Sequence, residues 1–206
     1  MKLFLASEAE HPESLEKLNT YVGGFKGKTI AYIPTAANGE GYGCWKIDGT
    51  WKLKNTLEAD ISVIELEDYR NFDLLNALQG KDIIWIEGGA CGYLMYWIKR
   101  TNFDVNLPEL LSKGAVYVGS SAGSMITAPT LDVAEWYIGE EERGASYLPG
   151  LNLVDFDFYP HYDEPQFEQI KSKYNGKKMY LVKNGEAIIV ENSEIKVLGE
   201  ERLIVK

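Results

Sequence analysis

Residues 115–125 read AVYVGSSAGSM, an apolar run that passes directly into a Gly-x-Ser-x-Gly sequence. This pattern is typical of a strand that turns sharply into a helix, with Ser121 at the turn and with Gly119 and Gly123 where a Cβ atom would clash. The turn lifts the Ser121 hydroxyl to the carboxyl end of a sheet, where open α/β folds bind ligands. It also puts the N–H of Ala122 at a helix N-terminus, where it can stabilise an oxyanion. The segment therefore predicts an α/β sheet and a nucleophile, Ser121.

Short apolar, β-branched runs alternate with amphipathic stretches through the first 125 residues. The predicted strands are Leu3–Ala6, Thr29–Ile33, Ile61–Leu66, Asp82–Ile86 and Val116–Val118. The predicted helices are Pro12–Tyr21, Trp51–Ala59, Phe72–Leu78, Gly92–Thr101 and Pro108–Ser112. Strand-helix alternation of this kind predicts a parallel sheet with helices on both faces.

The pattern changes after about Leu151, where short apolar runs are separated by polar turns such as KNGE, ENSE and GEE. The runs are Leu153–Phe158, Met179–Val182, Ala187–Val190, Ile195–Leu198 and Leu203–Val205. They predict antiparallel strands or hairpins that extend the sheet.

The loop Ala36–Thr50, rich in glycine and aromatic residues, is predicted to be a lid or rim over a pocket. No linker divides the 206 residues, so a single domain spanning 1–206 is expected.

Composition excludes several classes of function. The formal net charge of −10 repels phosphate backbones and anionic lipids, so neither nucleic acid nor a membrane is expected as a partner. The N-terminus lacks the pattern of a signal peptide, and no apolar stretch reaches the length of a membrane span. Only Cys44 and Cys91 are present, which predicts a reduced, cytoplasmic setting rather than a disulfide framework. No nucleotide-binding or metal-ligand motif is present, so neither a cofactor nor a metal is expected.

A nucleophilic serine needs a general base, and the chain has only His11 and His161. His11 precedes Pro12 in a polar segment that is typical of an exposed cap. His161 follows an apolar run directly, and a loop at a strand end is where such a histidine is held. The sequence therefore predicts His161 as the base.

An oxyanion hole needs a second backbone donor besides Ala122. Residues 83–92 read IIWIEGGACG, another predicted strand that ends in glycines before a helix. Glycines without side chains let the backbone approach a substrate carbonyl closely. This segment is the candidate for the second donor.

Together these motifs resemble peptidase family S51, the dipeptidase E family, over nearly the whole chain. The segments that carry the resemblance are Ile33–Ala36, Glu87–Gly89, Gly119–Gly123 and Tyr159–His161. The resemblance implies a three-layer, doubly wound, mostly parallel sheet of the class I glutamine amidotransferase type. It also implies Ser121 as nucleophile, His161 as base, and the N–H groups of Gly89 and Ala122 as the oxyanion hole. The implied activity is hydrolysis of short peptides, including dipeptides that begin with aspartate, by a monomer or homodimer without a cofactor.

The chain departs from the family pattern at three points. Ala90 replaces the asparagine that follows Gly-Gly, and Tyr159 replaces the asparagine before Pro-His. The segment that supplies the acid in the aspartyl dipeptidases reads Leu131–Trp136 here, and Glu135 is the nearest match. Glu135 is therefore expected to be the third member of the triad, with Asn184 or Glu186 as alternatives.

Three other readings of the sequence remain open. Cys91 could serve as the nucleophile of an amidotransferase-like enzyme, although its surroundings lack the strand-nucleophile-helix spacing. Ser120, beside Ser121, is also wrongly spaced from the two glycines to be the nucleophile. An α/β-hydrolase would place its histidine near the chain end and carry a different oxyanion loop. A binding or regulatory protein with a degenerate site is supported by Ala90 and by the uncertain acid.

Recognition of an aspartyl side chain would require a cation, for which Lys99, Arg100 and Arg143 are the candidates.

Overall fold

The computed structural model of the chain describes residues 1–41, 43, 57–69 and 74–206. Its strands are β1 (Lys2–Ala6), β2 (Thr29–Ile33), β3 (Asp60–Val63), β4 (Ile83–Ile86), β5 (Val116–Ser120), β6 (Asp157–Tyr159), β7 (Lys178–Leu181), β8 (Ala187–Glu191), β9 (Glu194–Leu198) and β10 (Leu203–Val205). Its α-helices are α1 (Pro12–Tyr21), α2 (Thr35–Asn38), α3 (Leu74–Leu78), α4 (Cys91–Arg100), α5 (Phe103–Ser112), α6 (Ala122–Met125), α7 (Asp132–Glu135) and α8 (Phe167–Lys173).

The main sheet has seven strands in the order β3-β2-β4-β5-β1-β8-β9. The five strands from β3 to β1 are parallel, and β8 and β9 continue the sheet in antiparallel fashion beyond β1. The predicted mostly parallel α/β sheet with C-terminal antiparallel strands is therefore confirmed. The carboxyl ends of β1, β4 and β5 meet at one edge, and the residues that follow these strands carry the chemistry described below.

The central strands are apolar without interruption because both faces of the sheet are covered. Successive side chains alternate between two cores: Leu3 and Leu5 of β1 pack in one, and Phe4 packs in the other. The first core contains the buried faces of α3, α4, α5 and α6. The second contains Leu18 of α1. This arrangement gives the three layers that the strand-helix alternation predicts.

A second sheet of three strands, in the order β10-β7-β6, stands apart from the main sheet. β6 and β7 are parallel, whereas β10 is antiparallel to β7. Buried residues from β6 and β7, including Phe158 and Met179, join the same core as α4 and α5. The C-terminal runs therefore do not all extend one sheet, because only β8 and β9 add to it. The link from β7 to β8 carries the chain from the second sheet into the first.

Several predicted boundaries differ from the structure. The helix predicted to begin at Pro108 begins at Phe103, because buried Phe103 and Leu107 extend its apolar face and tolerate the proline inside it. The run Leu153–Phe158 forms a strand only from Asp157, since the N–H groups of Leu153 and Val154 bond to the carbonyl of Thr127 instead.

Three further predictions lie partly beyond the described residues, and one of them is the helix Phe72–Leu78, of which residues 72 and 73 are not described. Of the predicted helix Trp51–Ala59, residues 51–56 are not described, and residues 57–59 are not helical. Within the predicted lid, residues 42 and 44–50 are not described, while Ala36–Asn38 belong to the buried helix α2. Across the described ranges, none of the helices has both the length and the apolar character that crossing a bilayer demands.

Candidate active site

Ser121 occupies a strained turn between β5 and α6. Its backbone angles are φ 46° and ψ −108°, a region that residues other than glycine adopt only when the surroundings enforce it. The enforcing contacts are close: a Cβ on Gly119 would lie 2.6 Å from the Gly123 carbonyl oxygen, and one on Gly123 would lie 2.2 Å from that of Ile86. Both glycines of the motif are therefore required by backbone packing. The expected strand-turn-helix geometry is present.

His161 lies beside Ser121, as the sequence predicts. Its Nε2 is 3.0 Å from Ser121 Oγ, within the distance expected of a nucleophile and its base. The histidine follows β6 of the second sheet and has a positive φ of 50°, which turns its ring back toward the end of β5. Nδ1, on the far side of the ring, is 2.7 Å from Oδ1 of Asn184.

Ser7, directly after β1, links His161 and Asn184 through hydrogen bonds. The N–H of His161 donates to Ser7 Oγ at 2.7 Å, and the Ser7 hydroxyl donates to Asn184 Oδ1 at 2.9 Å. Oδ1 of Asn184 thus faces both the Ser7 hydroxyl and Nδ1 of His161, and because an amide oxygen only accepts, the proton in the His161–Asn184 bond belongs to Nδ1 in this arrangement. Nε2 is then unprotonated in the neutral ring and faces the Ser121 hydroxyl as an acceptor.

Glu135 does not contact His161, so its expected place as third member is wrong. Its carboxylate accepts from the N–H groups of Gly144 and Ser146 and from the Ser146 hydroxyl, at 2.8–3.1 Å. These three donors, with the backbone of Gly144 first, lower the pKa of Glu135. These bonds hold the Glu135 side chain in its own loop, because the backbone N–H groups there need an acceptor and the carboxylate provides it.

Glu186, the other alternative, also has partners elsewhere. Its carboxylate pairs with Arg202 at 2.7 Å and accepts from the N–H of Lys183. Asn184 is therefore the residue that occupies the third position, and Asn184 and His161 are both exposed. The sequence analysis did not identify Ser7. Its position directly after β1, at the same sheet edge as Ser121, is the feature that could have identified it.

The backbone at Ala122 and at Gly88 lies next to Ser121. Ala122 is the first residue of α6, so its N–H has no intrahelical acceptor. Gly88 packs against Ser121, since a Cβ added to it would lie 3.1 Å from Ser121 Cβ, and its N–H donates to the Glu87 carboxylate at 2.8 Å. Gly89 has φ 128° and passes so close to Ala36 that a Cβ would lie 2.4 Å from the Ala36 carbonyl oxygen. Glycine is therefore required at position 89.

The carboxyl groups of Glu10 and Glu87 lie beside the nucleophile turn. The Ser120 hydroxyl donates to Glu10 Oε2 at 3.1 Å, and Glu87 lies beside Ser120 because it follows Ile86, the strand partner of Gly119. Burial, followed by the nearby charge of Glu87, raises the pKa of Glu10 well above its usual value. The sequence analysis identified neither as a site residue, because a glutamate in SEAEHPES is indistinguishable from an exposed one.

The other candidates from the sequence have partners or surroundings of their own. Cys91 is buried at the start of α4, and burial together with Glu142 raises the pKa of its thiol well above the usual value. Lys99 pairs with Asp104, and Lys99 and Arg100 lie about 12 Å along α4 from its first residue. Arg143 is exposed in the loop that holds Glu135. The described residues include no group of histidine, cysteine and carboxylate side chains suited to a metal ion.

Comparison with known proteins gives consistent matches over most of the chain. The model of peptidase family S51 matches residues 3–198. An uncharacterized peptidase of Listeria innocua is 31% identical over 182 residues, covering 82% of this chain and 84% of that protein. A peptidase E of Nostoc sp. is 24% identical and covers 85% and 74%, respectively. The crystal structure of a protein provisionally assigned as peptidase E from Listeria monocytogenes EGD-e has a TM-score of 0.79 and 26% identity, covering 95% of this chain and 96% of that one.

Proposed function

Because the chain belongs to peptidase family S51 and is therefore a peptidase, we propose that it hydrolyses short peptides with Ser121 as nucleophile, His161 as general base and Asn184 as the residue that orients the base. The observation that carries this proposal is the 3.0 Å contact between His161 Nε2 and Ser121 Oγ at a strained strand-to-helix turn.

The proposed reaction has two steps. His161 Nε2 takes the proton of the Ser121 hydroxyl as Oγ attacks the peptide carbonyl carbon, and His161 then gives that proton to the departing amine. The N–H groups of Ala122 and Gly89 stabilise the negative charge that develops on the carbonyl oxygen. A water molecule, deprotonated by His161, then hydrolyses the acyl-enzyme and regenerates Ser121.

Asn184 contributes orientation rather than charge. Its oxygen accepts from Nδ1–H and so keeps the lone pair of Nε2 on the side of Ser121. A neutral amide can serve in this position, as it does in papain-like enzymes. The Ser7 hydroxyl supports this role because it bonds to the same amide oxygen that faces the ring.

Substitution of the nucleophile tests the proposal. We expect Ser121→Ala to lower kcat/KM by about 10⁴-fold or more while the fold is retained. Ser172→Ala is the matched control, because Ser172 is an exposed serine whose hydroxyl bonds only within α8. A fluorophosphonate probe should label Ser121 in the wild type, and mass spectrometry of the labelled peptide identifies the site. Undiminished turnover in Ser121→Ala would exclude the mechanism.

The cysteine alternative is tested in the same assay. Cys91 is buried and its raised pKa keeps it a thiol, and thiols react poorly as nucleophiles. We therefore expect iodoacetamide to leave peptidase activity intact. Loss of activity on alkylation, with Cys91 as the modified residue, would instead favour the cysteine mechanism.

We propose that the substrates are short peptides and that N-terminal aspartate is not required. The resemblance to the dipeptidase E family supports the substrate size, while Lys99 is paired with Asp104 and, like Arg100, lies about 12 Å along α4 from its first residue. We expect Ala-Leu and Asp-Leu to be cleaved at similar rates, and intact casein to be left uncut. Cleavage of Asp-Leu alone would show an aspartyl requirement, and rapid cleavage of casein would rule out the small-substrate proposal.

A further inference from the structure

We propose that Glu10 is a positioning residue whose carboxyl group holds a proton and donates it in a hydrogen bond to Glu87, so that residues 87–89 stay in register with Ser121. We name Glu10, Glu87 and Ser120 the acid clamp. The inference rests on the proposed role of Ser121, because residues 87–89 include the N–H of Gly89 that would bind the oxyanion.

One carboxylate oxygen of Glu10, Oε1, has no hydrogen-bond donor among the described residues. The N–H of Ala9 donates to Ser120 Oγ at 3.0 Å, so the Ser120 hydroxyl is free to donate to Glu10 Oε2 at 3.1 Å. Oε1 of Glu10 is shut off from solvent, and the described part of the chain offers it no donor. A buried carboxylate oxygen without a donor is costly. A proton on Oε1 turns the unpaired acceptor into a donor and removes that cost.

Glu87 is the acceptor that this proton reaches. The carboxylate of Glu87 already accepts from Tyr32 Oη at 2.9 Å, from Trp85 Nε1 at 3.3 Å and from the N–H of Gly88 at 2.8 Å. The Glu87 carboxylate thus has three donors, whereas the described contacts give Glu10 the Ser120 hydroxyl and its own backbone N–H. The two environments therefore assign the charge to Glu87 and the proton to Glu10. The raised pKa of Glu10 agrees with this assignment.

The clamp connects two segments that meet at the nucleophile. Ser120 immediately precedes Ser121, and Gly88, whose N–H the Glu87 carboxylate holds, packs against Ser121. On the other side of Gly88 and Gly89, the N–H of Ala90 bonds to the Ala36 carbonyl at 3.0 Å. The segment from Glu87 to Ala90 is thus fixed at both ends, and the acid clamp fixes the end that lies next to β5.

Loss of the proton leaves two carboxylates in contact. None of the lysines and arginines in the described ranges forms an ion pair with Glu10 or Glu87. Tyr32 faces Glu87 with its hydroxyl, and the ring of His11 accepts from Glu13 N and so faces the start of α1 instead. Repulsion between the carboxylates then displaces Glu87 and its neighbours from Ser121. Reactivity of Ser121 should therefore fall at high pH.

A glutamine at position 10 mimics the protonated acid at every pH. Its amide nitrogen donates to Glu87 while its oxygen accepts from Ser120. The experiment measures the rate of Ser121 labelling by a fluorophosphonate from pH 6 to 10 in the wild type, Glu10→Gln, Glu10→Ala and Glu16→Gln. Glu16 is the matched control, because it is an exposed glutamate on α1.

We expect the wild type and Glu16→Gln to lose labelling rate at alkaline pH by up to about tenfold per unit. Glu10→Gln should keep its rate there, and Glu10→Ala should be slow at all pH values. The same alkaline decline in Glu10→Gln as in the wild type would overturn the inference. Rescue by glutamine but not by alanine separates the proton from mere packing.

Infrared spectroscopy gives a readout that does not depend on catalysis. The wild type at pH 7 should show the C=O stretch of a protonated carboxylic acid, and Glu10→Gln should lack that band. Absence of the band from the wild type, or its persistence in Glu10→Gln, would contradict the proposed proton. If the band behaves as expected but Ser121→Ala still cleaves peptides, the proposed function fails while the proton on Glu10 stands.

Discussion

At the scale of single residues, the neutral amide of Asn184 determines how His161 can act. In the proposed mechanism the amide orients the imidazole, but it provides no negative charge for the imidazolium that would form when Ser121 attacks. Both side chains are exposed, so solvent supplies part of the stabilisation that a buried carboxylate would give.

Substitution at position 184 separates orientation from charge. We expect Asn184→Ala to lower kcat by roughly 5- to 150-fold, because a hydrogen bond worth about 1–3 kcal/mol is lost. Asn184→Asp keeps the acceptor and adds charge, so the acid limb of the pH-rate profile should move to higher pH. Asn192→Asp, in the exposed β8–β9 turn, controls for charge alone. An unmoved acid limb in Asn184→Asp would show that the side chain does not act on the ring.

At the scale of elements, the site depends on how closely α6 approaches β4. Gly123 is the contact point, since its missing Cβ would lie 2.2 Å from the Ile86 carbonyl oxygen. That clash is with backbone, which cannot rotate away. The turn that strains Ser121 is therefore maintained by packing beneath it.

Gly123→Ala should disrupt this packing. We expect a loss of stability of about 1–3 kcal/mol or more, measured by urea unfolding, together with loss of fluorophosphonate labelling at Ser121. Gly80→Ala is the control: its φ is +76° with nothing within 4 Å of a new Cβ, so it should cost about 1–2 kcal/mol and leave labelling intact. Normal labelling in Gly123→Ala would mean that the turn does not need the close approach.

The beginning of α4 depends on a distant carboxylate. Ala90 offers no capping side chain, and Glu142 instead accepts from the N–H groups of Cys91 and Gly92 at 2.6 and 2.7 Å. We expect Glu142→Ala to lower the free energy of unfolding by about 0.5–2 kcal/mol, as the loss of a helix cap does. Glu140→Ala, an exposed neighbour, should be neutral in the same urea titration. Equal stability of the two variants would show that the cap contributes nothing.

The sequence predicts those parts of the site that are local. The turn at Ser121 and the position of His161 after a strand are visible in short motifs, and so is the alternation that produces the sheet. The third position is not local, because the bond between Ser7 and Asn184 joins residues 177 apart. Glu135 matched a family segment, but the N–H groups of its own loop bind its carboxylate first. The proton on Glu10 depends on three segments meeting, which no single stretch of sequence reveals.

At the scale of the whole molecule, the buried acid at position 10 links stability to pH. A carboxyl whose pKa is raised in the folded state binds its proton more tightly there than in the unfolded chain. Stability from this group is complete below the unfolded pKa of about 4.3 and declines as the pH rises above it.

Glu10→Gln should remove that decline. Urea unfolding at pH 5 and at pH 8 should show that the wild type loses more stability than Glu10→Gln as the pH rises, because glutamine has no proton to lose. Glu16→Gln, which is exposed, should follow the wild type. Parallel pH dependence in the wild type and Glu10→Gln would mean that the carboxyl ionises equally in the folded and unfolded chains.

The path of the chain from the second sheet back into the first has a consequence for synthesis. Ser121 leaves the ribosome 40 residues before His161 does, and Asn184 follows only just before β8 pairs with β1. A partly made chain thus holds its serine without the groups that activate it. Under the proposed mechanism, a nascent chain therefore has no activated Ser121 until residue 184 has emerged from the ribosome.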